Sequence, residues 1–306
     1  MTKRILDLSA SDVRAMKKED ILASIRAAEG RTIVSEVISV VQPILLDISN
    51  AELASSFGAD IILLNMYDAE EPLVEGLPHP RDNPLEELKK LTGRIIGVNL
   101  EPVDKEEKTS EEKIKISPGR LGTLKNIEKI VNQGADMVVF TGNPKTGVTN
   151  SEIINSIKTS KESFGDRLVI MAGKMHSSGS LNEIGSNLIG TDTIRSFILA
   201  GADIILLPAP GTVPGMTTEY VRELVEYVHS KGRLTMTSIG TSQEGSDEST
   251  IKSIALYSKM AGTDMHHLGD SGMTTGIANP ENIMIYSIAV KGKRHTYRRM
   301  ARSVNR

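Results

Sequence analysis

The sequence predicts one (β/α)8 barrel, an α/β fold closed by eight parallel strands, and three observations carry that prediction. The heptapeptide GADIILL is spelled at Gly58–Leu64 and again at Gly201–Leu207. The same opening recurs as GADMVVF at Gly134–Phe140 and, weakened, as GTDMHHL at Gly262–Leu268. Between these lie four apolar runs that open differently: GRTIVSE from Gly30, GRIIGVN from Gly93, GDRLVIMA from Gly165 and GRLTMTS from Gly232. The two types alternate four times, each pair taking roughly 65–75 residues, the length of two βα units. A barrel explains four equal double units; an open doubly wound sheet does not.

The elements follow in order. Residues 1–29, with SASDVRAMKKEDILASIRAAE at their end, read as a leading helical cap over the barrel floor. Each strand is a short aliphatic run with Gly just before it, the mark of a buried parallel strand entered from a helix C-cap. The segment NPLEELKKLTG has Asn83 as N-cap, Pro84 at the first helical position, Glu86 and Lys90 four apart, and Gly93 as the stop. TNSEIINSIKTSKESFG, TDTIRSFILAG, TTEYVRELVEYVHSKG and SDESTIKSIALYSKMAG repeat that capped, amphipathic design. Residues 102–122, PVDKEEKTSEEKIKISPGRLG, form a charged excursion after strand three, open to reading as a solvated insertion, a partner surface or a lid. The whole chain, 1–306, reads as one domain. The Asp of each GAD falls at the N-terminal end of its strand, where a structural role is expected. The basic tail KGKRHTYRRMARSVNR reads as a solvated helix end rather than a nucleic-acid arm.

Composition narrows the function. A net charge of -3 gives no electrostatic case for nucleic acid or acidic lipid, and 3% aromatics leave little to stack on bases. Zero cysteines exclude disulfides, thiolate nucleophiles and Cys-ligated metals. The N-terminal residues hold no apolar run of signal-peptide length, and VISVVQPILL is about half a bilayer span. A cytoplasmic protein, with no membrane partner and with homo-oligomerisation left open, is expected.

In such a barrel the chemistry sits at the C-terminal strand ends, and the internal repeat aligns those ends. Counting six from the Arg of each GR opening gives Glu36, Asn99, Ala172 and Ser238; two further on come Ile38, Glu101, Lys174 and Gly240. In the GAD-type strands Asn65 aligns with Thr141, Pro208 and Gly269. Strand alternation then points Glu36, Asn65, Asn99, Glu101, Thr141, Lys174, Ser238 and His267 at the mouth, above Val34, Leu63, Ile95, Ile170 and Met236.

Lys174 at a strand end can form an imine if burial lowers its pKa, stay charged and hold an anion, or lean into solvent. His176 is a candidate general acid or base, and Glu36 and Glu101 are candidate bases, metal ligands or partners of Lys174. His266 and His267 are adjacent, so one faces inward, and parity selects His267. The loops after strands seven and eight, with Gly240, Thr241, Ser242, Gly269, Asp270, Ser271 and Gly272, read as a phosphate cradle. After strand four, Asn143 and Lys145 in FTGNPKTGVTNSEI can meet a polar ligand, while the prolines of LLPAPGTVPGMT stiffen the sixth loop into a wall.

The stretch GADMVVFTGNPKTGVTNSEI resembles the strand-four region of BtpA-like barrels, a family placed near the phosphate-binding TIM barrels. Some of its relatives are linked to sugar uptake by phosphotransferase systems. The resemblance covers this stretch and the barrel layout, and it transfers no catalytic residue. The acidic metal-binding pattern of phosphoenolpyruvate mutases is missing around strand four. The expectation is an enzyme acting on a small phosphorylated, carbonyl-bearing metabolite by proton transfer, isomerisation or carbon–carbon cleavage. Two alternatives stand beside it. One is a hydrolase in which Glu36, Asp68, Glu101 or Asp270 hold Mg2+; the other is a non-catalytic sensing or assembly barrel.

Overall fold

The computed structural model describes residues 3–107, 112–176 and 188–306. Eight strands run β1 Thr32–Ile38, β2 Ile61–Asn65, β3 Ile95–Leu100, β4 Met137–Phe140, β5 Val169–Gly173, β6 Ile204–Pro208, β7 Leu234–Ile239 and β8 Met265–Leu268. Each pairs in parallel with the next and β8 returns to β1, so the sheet closes into a barrel with helices around it. Among the described residues, no helix is long and apolar enough to cross a membrane.

Register fixes which side chains point inward. Glu36 pairs with Leu63, Leu63 with Gly97, Gly97 with Met137, Met137 with Val169, and Met171 with Ile204. Alternation from these pairs fills the interior with Val34, Leu63, Ile95, Met137, Met171, Leu206 and Met236, all buried in one apolar cluster. Ile170 does not belong there. It packs outward beneath the helices with Ala172, so β5 stands one residue out of the expected phase. The cause is Asp166, inserted between the Gly and the Arg of the fifth opening. Counted from the glycine, the sixth residue onward is Glu36, Asn99, Met171 and Ser238, and all four face inward.

The repeated Asp has a common task. Asp60, Asp136 and Asp203 accept the backbone N–H of Ile33, Ile96 and Ile170 at 2.9 Å each, and Asp264 accepts that of Thr235 at 2.8 Å. Each GAD-type strand thus clamps the start of the strand before it. Every one of these carboxylates also meets a basic group: Lys291 at 2.6 Å and Arg299 at 2.8 Å for Asp60, Lys89 at 2.7 Å for Asp136, Lys18 at 2.6 Å for Asp203, and His229 at 2.8 Å for Asp264. A carboxylate that accepts a buried N–H and faces a cation loses little by leaving water.

Two of those cations come from the C-terminal tail, which is therefore no solvated helix end. The helix Pro280–Met300 carries Lys291 and Arg299 into the floor, where they neutralise Asp60. Arg298 reaches Asp7 at 2.9 Å. The N-terminal segment closes the same end. Ile5, Leu6, Val13, Ile21 and Ile25 share one apolar cluster with the barrel interior, and Lys18 ties the helix Lys18–Arg26 to Asp203.

Candidate active site

At the opposite end, the C-terminal strand ends and their loops enclose a cavity of about 410 Å³. Of the residues expected at the mouth, Glu36, Asn65, Asn99, Thr141, Asn143 and His176 line it, as do Gly240, Ser242, Gly269, Asp270, Ser271 and Gly272. The charged excursion comes over the same opening, contributing Ile114, Ile116 and Arg120 to the lining.

Six expected residues stand elsewhere, among them Lys145, which is exposed and outside the lining. Lys174 shares the outward parity of Ala172; it is fully buried and its ammonium donates to the Val148 carbonyl at 2.8 Å, away from the cavity. The residue that reaches inward from this segment is Met175, which packs against Gly240, where only the missing Cβ leaves room for its sulfur. Glu101 lies behind the lining, held by Arg120 and by the backbone N–H and Nδ2 of Asn143, both at 3.0 Å. It anchors the excursion to the β4 loop. Thr241 turns to the Thr212 carbonyl at 2.9 Å. Ser238 and His267 are fully buried below the cavity floor. Neither lines the cavity, but His267 reaches Glu36, which does.

That connection is the chemical centre of the site. His267 Nε2 stands 3.1 Å from Glu36 Oε2, and His267 Nδ1 is 2.6 Å from Ser238 Oγ. A hydroxyl serves either state of the ring, accepting from a protonated Nδ1 and donating to a bare one. Burial pushes the Glu36 carboxyl above its ordinary range, His267 partly opposes this, and the charges of Asp270 and Glu244 add to it. His176 is driven down to about 4, by burial first and then by the Lys174 charge, so it is neutral near pH 7.

Glu244 is a lining residue that the sequence reading missed. It sits in the turn Gln243–Gly245 after β7, inside a stretch read only as Gly- and Ser-rich. Its carboxyl is also raised, by burial and then by Asp270. The single acid in SQEGS was the available signal.

These raised values have a stability consequence. A carboxyl whose folded pKa exceeds its unfolded value of 4.5 stabilises the fold below that value and loses the contribution as pH rises through the folded one. Glu36→Gln and Glu244→Gln are therefore expected to melt higher than the parent at pH 8, by about 2–4 °C for each kcal/mol recovered. The gap should close near pH 4. Melting curves at both pH values check this, and an equal gap at both contradicts it.

Lys174 carries a second expectation. Lys174→Met strands the Val148 carbonyl and costs on the order of 1–3 kcal/mol in denaturant unfolding. Borohydride with a carbonyl substrate leaves no adduct on Lys174. A trapped adduct there contradicts the buried placement.

Metal binding has little to work with. Among the described residues, no three His, Asp or Glu side chains form a group that could hold a metal ion. Asp68 caps the backbone N–H groups of Glu70 and Glu71, and Glu101 is spent on Arg120 and Asn143. Of the acids proposed for Mg2+, Glu36 and Asp270 share the cavity, while Asp68 and Glu101 are engaged elsewhere.

Over residues 6–306 the sequence matches the family described as Domain of unknown function (DUF7916). The chain belongs to this family. A search of the curated proteins finds no match. Among solved structures the barrel is similar to an archaeal fructose 1,6-bisphosphate aldolase, at 16% identity over 90% of this chain and 99% of that one, with a TM-score of 0.54. It is also similar to thiamine phosphate pyrophosphorylase from Pyrococcus furiosus, at 13% identity over 87% and 98% of the two chains, TM-score 0.49. A third is 2,3-dimethylmalate lyase, a PEP mutase/isocitrate lyase superfamily member, at 11% identity over 85% and 81%, TM-score 0.49. The likeness to the aldolase is one of fold. The family matched over the whole barrel is not described as BtpA-like, and that resemblance stays confined to the strand-four stretch.

Proposed function

We propose that this protein is an enzyme that moves a proton on a small carbonyl- and hydroxyl-bearing metabolite, in isomerisation, epimerisation or carbon–carbon cleavage. The observation that carries the reading is the buried Glu36 facing the cavity with His267 Nε2 3.1 Å behind it. A carboxyl with a raised pKa near an enclosed pocket is the usual equipment of a general base or acid. The imidazole, fixed at Nδ1 by the Ser238 hydroxyl at 2.6 Å, stands where it can exchange a proton with this carboxyl. Thr141 Oγ1 and Asn99 Oδ1, buried on the same lining without partners, are groups a substrate hydroxyl or carbonyl would satisfy.

The phosphoryl group expected from the sequence is the finer part of this reading. The β7 and β8 loops offer it less than their glycines suggested. The Gly272 N–H already donates to Asp270 Oδ1 at 2.8 Å, and Glu244 faces the same space. Arg120, the one guanidinium among the described lining residues, gives a phosphoryl group its place instead, on the excursion side. The test is solvent-deuterium wash-in at the carbon beside the carbonyl, across aldoses, ketoses and their phosphate esters. Exchange that needs the folded protein supports the proposal; silence across the panel overturns it. A phosphate ester exchanging no faster than its parent sugar removes the phosphoryl part alone.

A further inference from the structure

The amides of the cavity are oriented by neighbours whose hydrogen-bonding roles are unambiguous. The Met66 N–H donates to Asn65 Oδ1 at 2.8 Å, which turns Asn65 Nδ2 toward Asp270 Oδ2 at 2.7 Å and Asn143 Oδ1 at 2.8 Å. Glu101 Oε1 accepts from Asn143 Nδ2, and Asn65 Oδ1 accepts from Asn99 Nδ2 at 3.1 Å. Asn99 thereby presents its oxygen, buried and without a partner. Arg120 gives Nε and Nη2 to Glu101 and keeps Nη1 on the excursion side, and the Gly272 N–H is taken by Asp270. On the β7–β8 side the amide donors are taken up inside the network. What the described lining leaves without a partner is Asn99 Oδ1, Glu244 Oε2 and the Thr141 and Ser271 hydroxyls, with the Glu36 carboxyl facing the same space.

A phosphate dianion brings only acceptors to such a surface, whereas an ammonium brings three donors and the opposite charge. We infer that the β7–β8 side of the cavity recognises a protonated amine on the substrate, seated among Glu36, Glu244 and Asp270. Asn99 Oδ1 and Thr141 Oγ1 take a remaining N–H or the hydroxyl beside it. The inference rests on the cavity being the substrate site, and it names the substrate's class: a small amino polyol or amino sugar. Its anionic end, where it has one, lies toward Arg120. The charged and titratable groups facing the amine are Glu36 from β1, His176 after β5, Glu244 after β7 and Asp270 after β8, with Arg120 across the cavity. The three carboxyls repel one another, and burial already disfavours charge on Glu36 and Glu244. A cation relieves both penalties, so its arrival draws protons off these groups.

The experiment is isothermal titration of the full chain with matched pairs, glucosamine against glucose and serinol against glycerol, in two buffers of different ionisation heat. The amine of each pair is expected to bind about tenfold tighter, with net release of protons. In Glu244→Gln/Asp270→Asn the preference for the amine over its hydroxyl partner should fall to near unity. Equal or weaker binding of the amines overturns the inference, as does proton uptake on binding. So does the absence of binding by every probe at about 10 mM. Deuterium exchange on neutral sugars with no amine preference sinks this inference and leaves the proton-transfer proposal standing; amine binding with no exchange on any carbonyl compound does the reverse.

Discussion

Glu36→Gln is expected to lower the rate of proton exchange by about 10²–10⁴ while the barrel stays folded. Gln keeps the shape of the side chain and can still contact His267 Nε2, but it can neither take nor give a proton at ordinary pH. The loss should fall on turnover rather than on apparent affinity, because the amide still meets a substrate hydroxyl. His267→Asn works differently. The ring lies outside the cavity lining, so its removal leaves the carboxyl in place without its neighbour at 3.1 Å. A smaller loss is expected, together with a displaced acid limb in the pH–rate profile, since the Glu36 pKa is set partly by that neighbour. Equal losses and unshifted profiles for both variants would show His267 to be packing alone. A Glu36→Gln enzyme with full activity would move the chemistry off this carboxyl.

How far this site could be read from the sequence depended on which physical constraint each residue obeys. Alternation along a strand is rigid, so Glu36, Asn65, Asn99 and Thr141 were legible once the repeat supplied a common origin. The same rigidity made the error at strand five total. One extra residue, Asp166, moved the origin, and every side chain beyond it exchanged faces; Lys174 became a candidate and Met175 was overlooked. Loops obey no such period. The β7 and β8 turns were recognisable as backbone suited to a ligand, yet which groups they turn inward is set by tertiary contact. Glu244 and Asp270 face the cavity, and Thr241, between Gly240 and Ser242, does not. The basic tail was misjudged for a related reason. Its partner, Asp60, is remote in the chain, and a run of charge reads as solvated until a buried counter-charge is located.

That counter-charge makes Asp60→Ala the substitution expected to cost the fold most, about 3–5 kcal/mol in denaturant unfolding. Asp60 is wholly buried and its oxygens hold Lys291 at 2.6 Å, Arg299 at 2.8 Å and the Ile33 N–H at 2.9 Å. Alanine leaves two buried cations without a counter-charge, holding only the Gly58 and Leu8 carbonyls, and leaves the Ile33 N–H without its acceptor. Burial alone would raise this carboxyl, but Lys291 and Arg299 outweigh it and the pKa is lowered. The group therefore stabilises the fold above its unfolded value of 3.8 and loses that contribution as pH falls through the lower folded value. The cost of Asp60→Ala should accordingly be greatest near neutrality and shrink in acid, the same pH trend as the Glu36→Gln gain with the opposite sign. Asp264 offers the internal control. It makes the same clamp, to the Thr235 N–H at 2.8 Å, but its cationic partner, His229, is 40% exposed and half in water. Asp264→Ala thus removes the clamp without stranding a buried charge, and a loss nearer 1–3 kcal/mol is expected. Matching losses at the two sites would mean that the shared N–H bond carries the whole effect. A clear excess at Asp60 would show that the tail's cations, rather than the repeat's clamp, are what the barrel floor cannot lose.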